Sequence, residues 1–349
     1  MPLGLQTAEL NFETLKEIGQ EGRNSQVFLA HDKQLDGEIV VKVVSKAKLK
    51  HASKFYDEAK VLYASSHPNV VRVNYGCADA DNIYMAMPFY KNGSLKKLID
   101  YRFLTIREVI RYSIQFLSGL HNIHSKGLLH FDVKPDNILL SDSNEALITD
   151  FGLSKAMDTL GFADPDEIYA KQVPPETFSS TQKSVHFDIY LAGLTIYRLL
   201  NGNNFYYQQL NFKTRTEYED AIKNGQFPNR SAYLPHVPLK LQRIINKALE
   251  VDLSNRYQTV LELTNELGTV DENLDWKYNP TGNSLIWSLD RGDKTYEVVL
   301  DRSKPKSLSI KTTKTMKSSG RKTKVAAHNH NNLTSSNVHS KLKKALREL

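Results

Sequence analysis

The sequence predicts an α+β fold in which strands dominate the first part of the chain and helices the second. Runs of β-branched and apolar residues at 39–43 and 83–87 are typical of strands. Apolar residues recur at helical spacing through residues 105–126, where Thr105 and Glu108 form a predicted N-terminal cap. Three further helices are predicted at 214–224, 238–250 and 257–268.

Composition and length are those of an ordinary globular protein. The chain has 349 residues, of which 40% are hydrophobic and 24% are charged. Its single cysteine, Cys77, cannot form an intrachain disulfide, and no apolar run is long enough to span a membrane. The first ten residues lack the basic and apolar segments of a signal peptide. We therefore expect a cytoplasmic protein without a membrane span.

Charge is distributed unevenly along the chain. Residues 302–349 contain thirteen Lys or Arg and one acidic residue, Glu348, which gives this segment a net charge of +12. Because the whole chain carries +7, residues 1–301 carry −5. A basic tail on an acidic body is typical of an interaction segment. We expect its partner to be an acidic protein surface or a nucleic acid.

Three polar residues surround one predicted hairpin in the middle of the chain. The apolar runs 138–140 and 146–148 are separated by turn-forming residues and predict two short antiparallel strands. Asn137 and Asp150 flank this hairpin, and their side-chain oxygens are suited to Mg²⁺. Asp132 lies just upstream and can orient a hydroxyl nucleophile. Each residue alone would more often be an ordinary turn residue, but all three at this spacing are hard to explain by chance.

A loop containing glycine and a strand containing lysine precede this region. Gly19 and Gly22 lie between two predicted strands, where backbone amides can approach phosphate oxygens closely. Lys42 interrupts an apolar strand, and apolar residues at helical spacing predict a helix at 52–65. Either feature alone is weak, since many hairpins contain glycine and a lone strand lysine more often lies at an exposed edge.

Together these motifs resemble those of the eukaryotic-like (Hanks-type) serine/threonine protein kinases. The run His130-Phe131-Asp132-Val133-Lys134-Pro135-Asp136-Asn137, followed by Asp150-Phe151-Gly152, matches the catalytic and metal-binding loops of that family. Lys134, two residues after Asp132, is typical of the serine/threonine branch. The resemblance implies transfer of the ATP γ-phosphate to a protein Ser or Thr hydroxyl.

The resemblance also implies a two-lobed kinase fold over residues 12–268, with a small lobe at 12–88 and a large lobe at 89–268. It implies ATP and Mg²⁺ as cofactors and assigns roles to individual residues. The implied catalytic residues are Asp132 as base, Lys134 on the transferred phosphate, Lys42 on the α- and β-phosphates, and Glu58 as the partner of Lys42. The implied metal ligands are Asn137 and Asp150. The implied nucleotide-binding residues are Gly19, Gly22, Ser25, Val27, Lys42, Met87 and Tyr90.

Further members of the family pattern imply structural contacts. Glu176 of Pro174-Pro175-Glu176 is expected to pair with Arg256. Asp188, at the start of a helix, is expected to accept hydrogen bonds from the backbone of the catalytic loop. His130 is expected to be a core histidine and not a ligand or a base.

Three positions depart from the family pattern. The glycine loop has one extra residue between Gly19 and Gly22, and Ser25 stands where the family has its third glycine. Tyr169 occupies the position of a Thr that is usual in the serine/threonine branch. Phe131 replaces an Arg that binds a phosphate on the activation segment of regulated kinases. Two outcomes are open: the activation segment, residues 150–176, is ordered without phosphate, or control comes from elsewhere, such as the region after residue 268. We expect the first.

Three alternatives to a protein kinase remain open. A pseudokinase scaffold would bind nucleotide without transferring phosphate; the unusual glycine loop favours it, whereas the intact catalytic and metal-binding residues oppose it. A nucleic-acid-binding protein would use the basic tail, although that tail has no interleaved aromatic residues. A small-molecule phosphotransferase of related fold is disfavoured by Glu176 and Arg256, which belong to the peptide-binding region of the family.

Beyond residue 268 the composition changes. Residues 275–311 contain two β-like runs joined at Arg291-Gly292-Asp293, which predicts a small β extension. Residues 312–336 are rich in Lys, Thr, Ser and Asn and poor in large apolar residues, which predicts a basic, disorder-prone tail. An amphipathic helix is predicted at 340–349, the end of a tail that covers 312–349.

Overall fold

The structure of the protein, a computed structural model, describes residues 11–19, 25–34, 36–48, 66–150, 154–163, 172–304 and 307–349. Some sequence predictions concern residues outside these ranges. They are the helix at 52–65 with Glu58, and the residues Gly22, Phe151, Gly152 and Tyr169. The expectations for these residues stay predictions.

Five antiparallel strands form the sheet of the small lobe, in the order β1-β2-β3-β5-β4. Their bounds are β1 Phe12–Gly19, β2 Ser25–Asp32, β3 Gly37–Ser45, β4 Tyr75–Ala78 and β5 Asn82–Pro88. Lys42 lies on the central strand, opposite Val27 of β2 and Met85 of β5. Because strands on both sides hold its backbone, Lys42 has a rigid base from which its side chain extends.

Seven helices lie in the described part of the large lobe. Their bounds are α1 Leu95–Tyr101, α2 Ile106–Ser125, α3 Val185–Asn201, α4 Asn203–Gln208, α5 Arg215–Lys223, α6 Leu239–Ala248 and α7 Val260–Leu267. The four predicted helices correspond to α2, α5, α6 and α7. Thr105 caps α2, and Glu108 completes the predicted capping box by accepting from the Thr105 backbone.

Helix α3 supports the catalytic loop from below. Its residues from Phe187 to Asn201 are all buried. The Thr195 hydroxyl donates to the Val133 carbonyl at 3.1 Å, and the Phe187 ring packs edge-on against Phe131 at 5.2 Å. The loop that carries Asp132 therefore rests on a helix that cannot move without disrupting the core.

Two short pairs of strands frame the catalytic loop. Strand β6 (Leu128–Leu129) pairs with β9 (Lys155–Ala156), and β7 (Ile138–Leu140) pairs with β8 (Ala146–Ile148). The second pair is the predicted hairpin, and its sequence bounds are confirmed. Antiparallel pairing brings the residues that flank the hairpin to the same end.

The C-terminal extension, defined here as residues 276–349, is a sheet covered by one helix. Its strands form the order β10-β11-β12-β13-β14, and β15 pairs with β13. The bounds are β10 Lys277–Thr281, β11 Ser284–Arg291, β12 Lys294–Asp301, β13 Leu308–Met316, β14 Lys322–Lys324, β15 His330–Leu333 and α8 Ser335–Glu348.

The disorder-prone tail predicted at 312–336 is not found, because these residues form β14, β15 and most of β13. Composition gave the wrong prediction because β13 contains few apolar residues. These residues alternate along the strand, so they all lie on one face. Leu308 and Ile310 are buried, and Thr312 continues the same face. Leu342 and Leu346 of α8 belong to the same apolar cluster. The strand therefore extends across the boundary at 311 that divided the predicted β extension from the predicted tail.

Polar contacts join the extension to the large lobe. The buried indole of Trp287 donates from Nε1 to His236 Nδ1 at 3.1 Å. Arg107 at the start of α2 forms two hydrogen bonds to Asp275, the residue just before the extension, at 2.6 and 2.8 Å. Among the residues that the structure describes, no helix has the length and apolar character that a membrane span requires.

Candidate active site

A cleft of about 530 Å³ lies between the sheet of the small lobe and the large lobe. This volume is within the range of pockets that hold small molecules and cofactors. Val27 and Val40 line it from the sheet, and Leu139 lines it from the catalytic hairpin. Lys42 and Asp150 lie at its inner end. A flat apolar ring can therefore be held between the strands and Leu139, with charged groups beyond it.

Asn137 and Asp150 are brought together by the β7–β8 hairpin. Ile138 pairs with Ile148, and the Thr149 amide donates to the Asn137 carbonyl at 2.9 Å. The two residues flank this contact although they are thirteen positions apart in sequence. The hairpin therefore brings Asn137 and Asp150 to the same place, and their role as metal ligands stays a prediction.

The orientation of Asn137 suits a metal ligand. Its Nδ2 donates to Asp132 Oδ2 at 2.7 Å and to the Asp132 carbonyl at 2.9 Å. Because the nitrogen is turned toward Asp132, the amide oxygen is the atom left to face the cleft. This oxygen and the Asp150 carboxylate are hard donors, so the residues present fit Mg²⁺.

Asp132 is held by two neighbours, of which Asn137 lines the cleft. Besides the Asn137 amide, the Lys134 ammonium lies 2.9 Å from Asp132 Oδ2. All three side chains are mostly buried. A carboxylate fixed in this way can accept the proton of an incoming hydroxyl, while Lys134 brings a positive charge to the same point.

Lys42 contacts Asp150 directly, with Nζ 2.5 Å from Oδ1. Lys42 is buried, whereas the Asp150 side chain is 43% exposed. The contact places a cation suited to phosphate beside the carboxylate suited to a metal. The predicted partner Glu58 lies outside the described residues, so that pairing stays a prediction.

Asp188 anchors the backbone of the catalytic loop, as predicted. It is fully buried and accepts hydrogen bonds from the amides of His130 at 2.7 Å and Phe131 at 2.8 Å. His124 Nε2 lies 2.8 Å from Oδ2, the oxygen that also accepts from the His130 amide. Burial alone would raise the pKa of Asp188, but these hydrogen bonds lower that pKa below its ordinary value. The buried carboxylate therefore stays charged and keeps the loop in place.

Two residues of the site have a left-handed backbone. Phe131 has a φ of 65° and Asp150 a φ of 63°, a region that residues other than glycine rarely adopt. The Asp188 hydrogen bond holds Phe131 in this conformation. Such local strain persists only where neighbouring contacts over-determine the backbone. Phe131 is next to Asp132, the predicted base, and Asp150 is itself a predicted metal ligand.

The remaining predicted nucleotide-binding residues lie around the same cleft. Val27, Met87 and Tyr90 all line it. Gly19 ends β1 and Ser25 begins β2, with Gly19 opposite Val27. Gly22 lies outside the described residues, so the expected fit of the glycine loop to phosphate stays a prediction.

Sequence reasoning missed part of the apolar lining. Ile18, Val40, Val71 and Leu139 all contribute to the cleft. Leu139 had a usable signal, because it is the middle residue of a three-residue strand whose neighbours are buried on the opposite face. Val71 had none, since only the fold brings it to this place.

Two further contacts agree with their predictions. His130 is completely buried, and its Nε2 lies 3.0 Å from the Thr149 carbonyl, so it is a core residue. Arg256 pairs with Glu176 through two hydrogen bonds, at 2.9 and 3.1 Å. This buried pair fixes the end of the segment that follows the metal-binding loop.

The fold and the site define a protein kinase domain. The family described as the protein kinase domain matches residues 12–266. The chain therefore belongs to the protein kinase family, and the family assignment made from the sequence is confirmed.

Curated relatives narrow the branch of the family. The probable serine/threonine-protein kinase PknB of Lactococcus lactis is 28% identical, over 74% of this chain and 42% of its own length. The serine/threonine-protein kinase PknD of Protochlamydia amoebophila is 29% identical, over 73% and 29%. The serine/threonine-protein kinase PrkC of Bacillus subtilis is 26% identical, over 74% and 40%. The chain spans less than half the length of these relatives and is similar to them mainly through its kinase domain.

Proposed function

We propose that this protein is an ATP-dependent serine/threonine protein kinase. The observation that carries the proposal is the assembled set of polar groups at one end of the cleft. Asp132, Lys134 and Asn137 contact one another there, and Lys42 contacts Asp150. Names of the curated relatives support the same activity.

Each residue has a distinct task in the proposed reaction. Asp132 orients the substrate hydroxyl and accepts its proton, while Lys134 stabilises charge on the transferred group. Lys42 binds phosphate oxygens, and Asn137 and Asp150 would hold Mg²⁺. When bound, Mg²⁺ neutralises charge on the phosphates of ATP. Val27, Met87 and Tyr90, which line the cleft, would hold the base of the nucleotide.

A nucleotide-binding scaffold without activity is the rival proposal. The extra residue in the glycine loop supports it. The contacts of Asp132 oppose it, because a scaffold has no need for a carboxylate held by two donors beside a phosphate site. Phosphate transfer itself separates the two proposals.

The test is a transfer assay with purified protein, Mg²⁺, ATP and a generic protein substrate. We expect phosphate on Ser or Thr, identified by mass spectrometry, and none with Asp132→Asn. The scaffold would replace the enzyme if the wild type and Asp132→Asn gave the same background. Nucleotide binding by both proteins, measured separately, shows that each is folded.

The proposal also covers location and partners. A cytoplasmic protein is favoured by the single cysteine, Cys77. The substrate is a protein with an accessible Ser or Thr. The basic segment 302–349 is proposed to contact an acidic surface or a nucleic acid, on the support of its net charge of +12.

A further inference from the structure

The strongest concentration of charge in the protein is one hairpin of the extension. Residues 311–324, here called the basic hairpin, contain six Lys or Arg and no acidic residue. They comprise most of β13, the turn and β14. The whole extension has sixteen basic and five acidic residues, so the rest of the chain is net acidic.

Three lysines of the basic hairpin share one face of the sheet. In the β13–β14 register, Lys324 is opposite Thr313 and Lys322 is opposite Thr315. Lys311 lies two residues before Thr313 and therefore points to the same side. All three lysines are exposed, whereas Leu308 and Ile310 point to the opposite, buried face. Alternate strand residues are about 7 Å apart, so the lysines form a row of closely spaced charges.

Few acidic groups offset this row. Lys322 pairs with Glu297 at 3.0 Å and Lys317 pairs with Asp290 at 3.2 Å, both with exposed side chains. Such surface pairs contribute little and are readily exchanged. Among the residues that the structure describes, Lys311, Lys314, Arg321 and Lys324 form no ion pair within 4.0 Å.

Hydroxyl groups lie between the lysines. Thr313 and Thr315 separate the lysine positions on this face, and Thr295 of β12 is opposite Thr315. The Thr313 hydroxyl is buried, and the Thr295 hydroxyl donates to Asp290 Oδ1 at 2.8 Å, so neither is presented to a ligand. The lysine ammonium groups are therefore the donors that this face offers to phosphate oxygens.

The composition of the basic hairpin and the residues around it indicates which kind of polyanion can bind there. Residues 302–349 contain no Phe, Trp or Tyr, so the bases of a single strand have no stacking platform. None of the large, exposed apolar residues among the described positions belongs to the extension, so a membrane-inserting element is missing there. The row of lysines therefore fits the regular row of phosphates on a nucleic-acid duplex better than a single strand or a membrane. Two-stranded β-ribbons are known to bind duplexes.

We infer that the basic hairpin binds the phosphate backbone of a nucleic-acid duplex without reading its sequence. This inference rests on the partner proposed above for residues 302–349 and narrows it to one kind, and it does not depend on the proposed kinase activity. No residue of the basic hairpin lines the nucleotide cleft in the described part of the chain. The two sites can therefore be disrupted separately.

Fluorescence anisotropy of the full chain tests the inference, with DNA and RNA duplexes of about 20 base pairs and the matching single strands as probes. We expect both duplexes to bind more tightly than the single strands. The logarithm of the binding constant should fall with the logarithm of salt concentration with a slope of roughly −3 to −4, since about four cations lack ion pairs.

A charge-reversal variant locates the surface. Changing Lys311, Arg321, Lys322 and Lys324 to Glu should weaken duplex binding at least tenfold and flatten the salt slope by about 1 for each lost contact. The matched control changes four exposed lysines of the large lobe to Glu and should bind as the wild type does. These are Lys126, Lys213, Lys223 and Lys240. The corresponding Gln variant of the hairpin, which adds no negative charge, should show an intermediate loss.

Three results would overturn the inference. The wild type could fail to bind either duplex at low salt. The control variant could lose as much affinity as the hairpin variant. Phosphatidylserine vesicles or an acidic peptide could bind through the same residues more tightly than either duplex. Kinase activity on a generic substrate, measured for each variant, shows that a loss of duplex binding is separate from any failure of the proposed enzyme.

Discussion

The catalytic loop and the C-terminal extension are stabilised in opposite ways. The loop is an irregular backbone held by hydrogen bonds to a buried charge, Asp188. The extension is a regular sheet held by an apolar cluster around Trp276 and Trp287, with its charges left at the surface. A change of one polar group should therefore alter chemistry in the first region, whereas a change of one apolar group should alter stability in the second.

The largest expected effect tests the catalytic side of this comparison. Asp150→Ala removes a proposed metal ligand and the partner of Lys42. Transfer should fall about 1000-fold or more, because a bound metal ion contributes several kcal/mol to the transition state. Asp142→Ala, in the exposed turn of the same hairpin, is the matched control and should keep its activity. Rates and thermal melting would be measured for both; a similar loss in the control would contradict the assignment of Asp150.

The next effect tests the extension. Trp287 is completely buried and donates to His236, so Trp287→Ala leaves a cavity and an unpaired ring nitrogen. The free energy of unfolding should fall by about 3–5 kcal/mol in urea denaturation. Tyr101→Ala, at a side chain that is 87% exposed, should change it by less than about 0.5 kcal/mol. If Trp287→Ala instead abolished transfer in the folded enzyme, the two regions would not be separate in function.

A pH effect is expected at the contact between the extension and the large lobe, where Trp287 donates to His236. Burial lowers the pKa of His236 to about 4, below its ordinary 6.5. Between these values the unfolded chain binds a proton that the folded chain does not. Stability should therefore fall by about 3 kcal/mol as the pH drops from 6.5 to 4.

The variant His236→Gln supplies a neutral acceptor for Trp287 and should remove that part of the pH dependence. The exposed His121→Gln is its control. Unfolding curves at several pH values would measure both. An unchanged pH profile in His236→Gln would show that another group is responsible.

The smallest effect is expected in the activation segment. Phe131 is 1% exposed against Phe187 and cannot bind a phosphate, and Ser154 is equally buried. Residues 154–163 are already paired, through β9 with β6 and through Ala163 with Lys183. Ser154→Ala, Thr159→Ala and Tyr169→Phe should each keep most of the transfer activity, measured without prior incubation with ATP. Activity that is lost after phosphatase treatment and recovered with ATP would refute this.

The sequence alone determined the family, the hairpin that carries the site and the contacts of Asp188 and Glu176. These features were predictable because catalysis restricts residue type and spacing, and a restricted pattern is visible without a structure. Asp132, Asn137 and Asp150 are close together because short local elements bring them there, whereas Lys42 reaches Asp150 from the other lobe.

Only the tertiary structure decided the form of the C-terminal extension. Its strands have ordinary residues at alternating positions, and Leu308 and Ile310 are too few to outweigh the surrounding lysines and threonines in composition. What makes them a core is burial under Leu342 and Leu346 of α8 and contact with the large lobe through Trp287. Packing between segments distant in sequence leaves no local signature, so that region could be recognised only once it was folded.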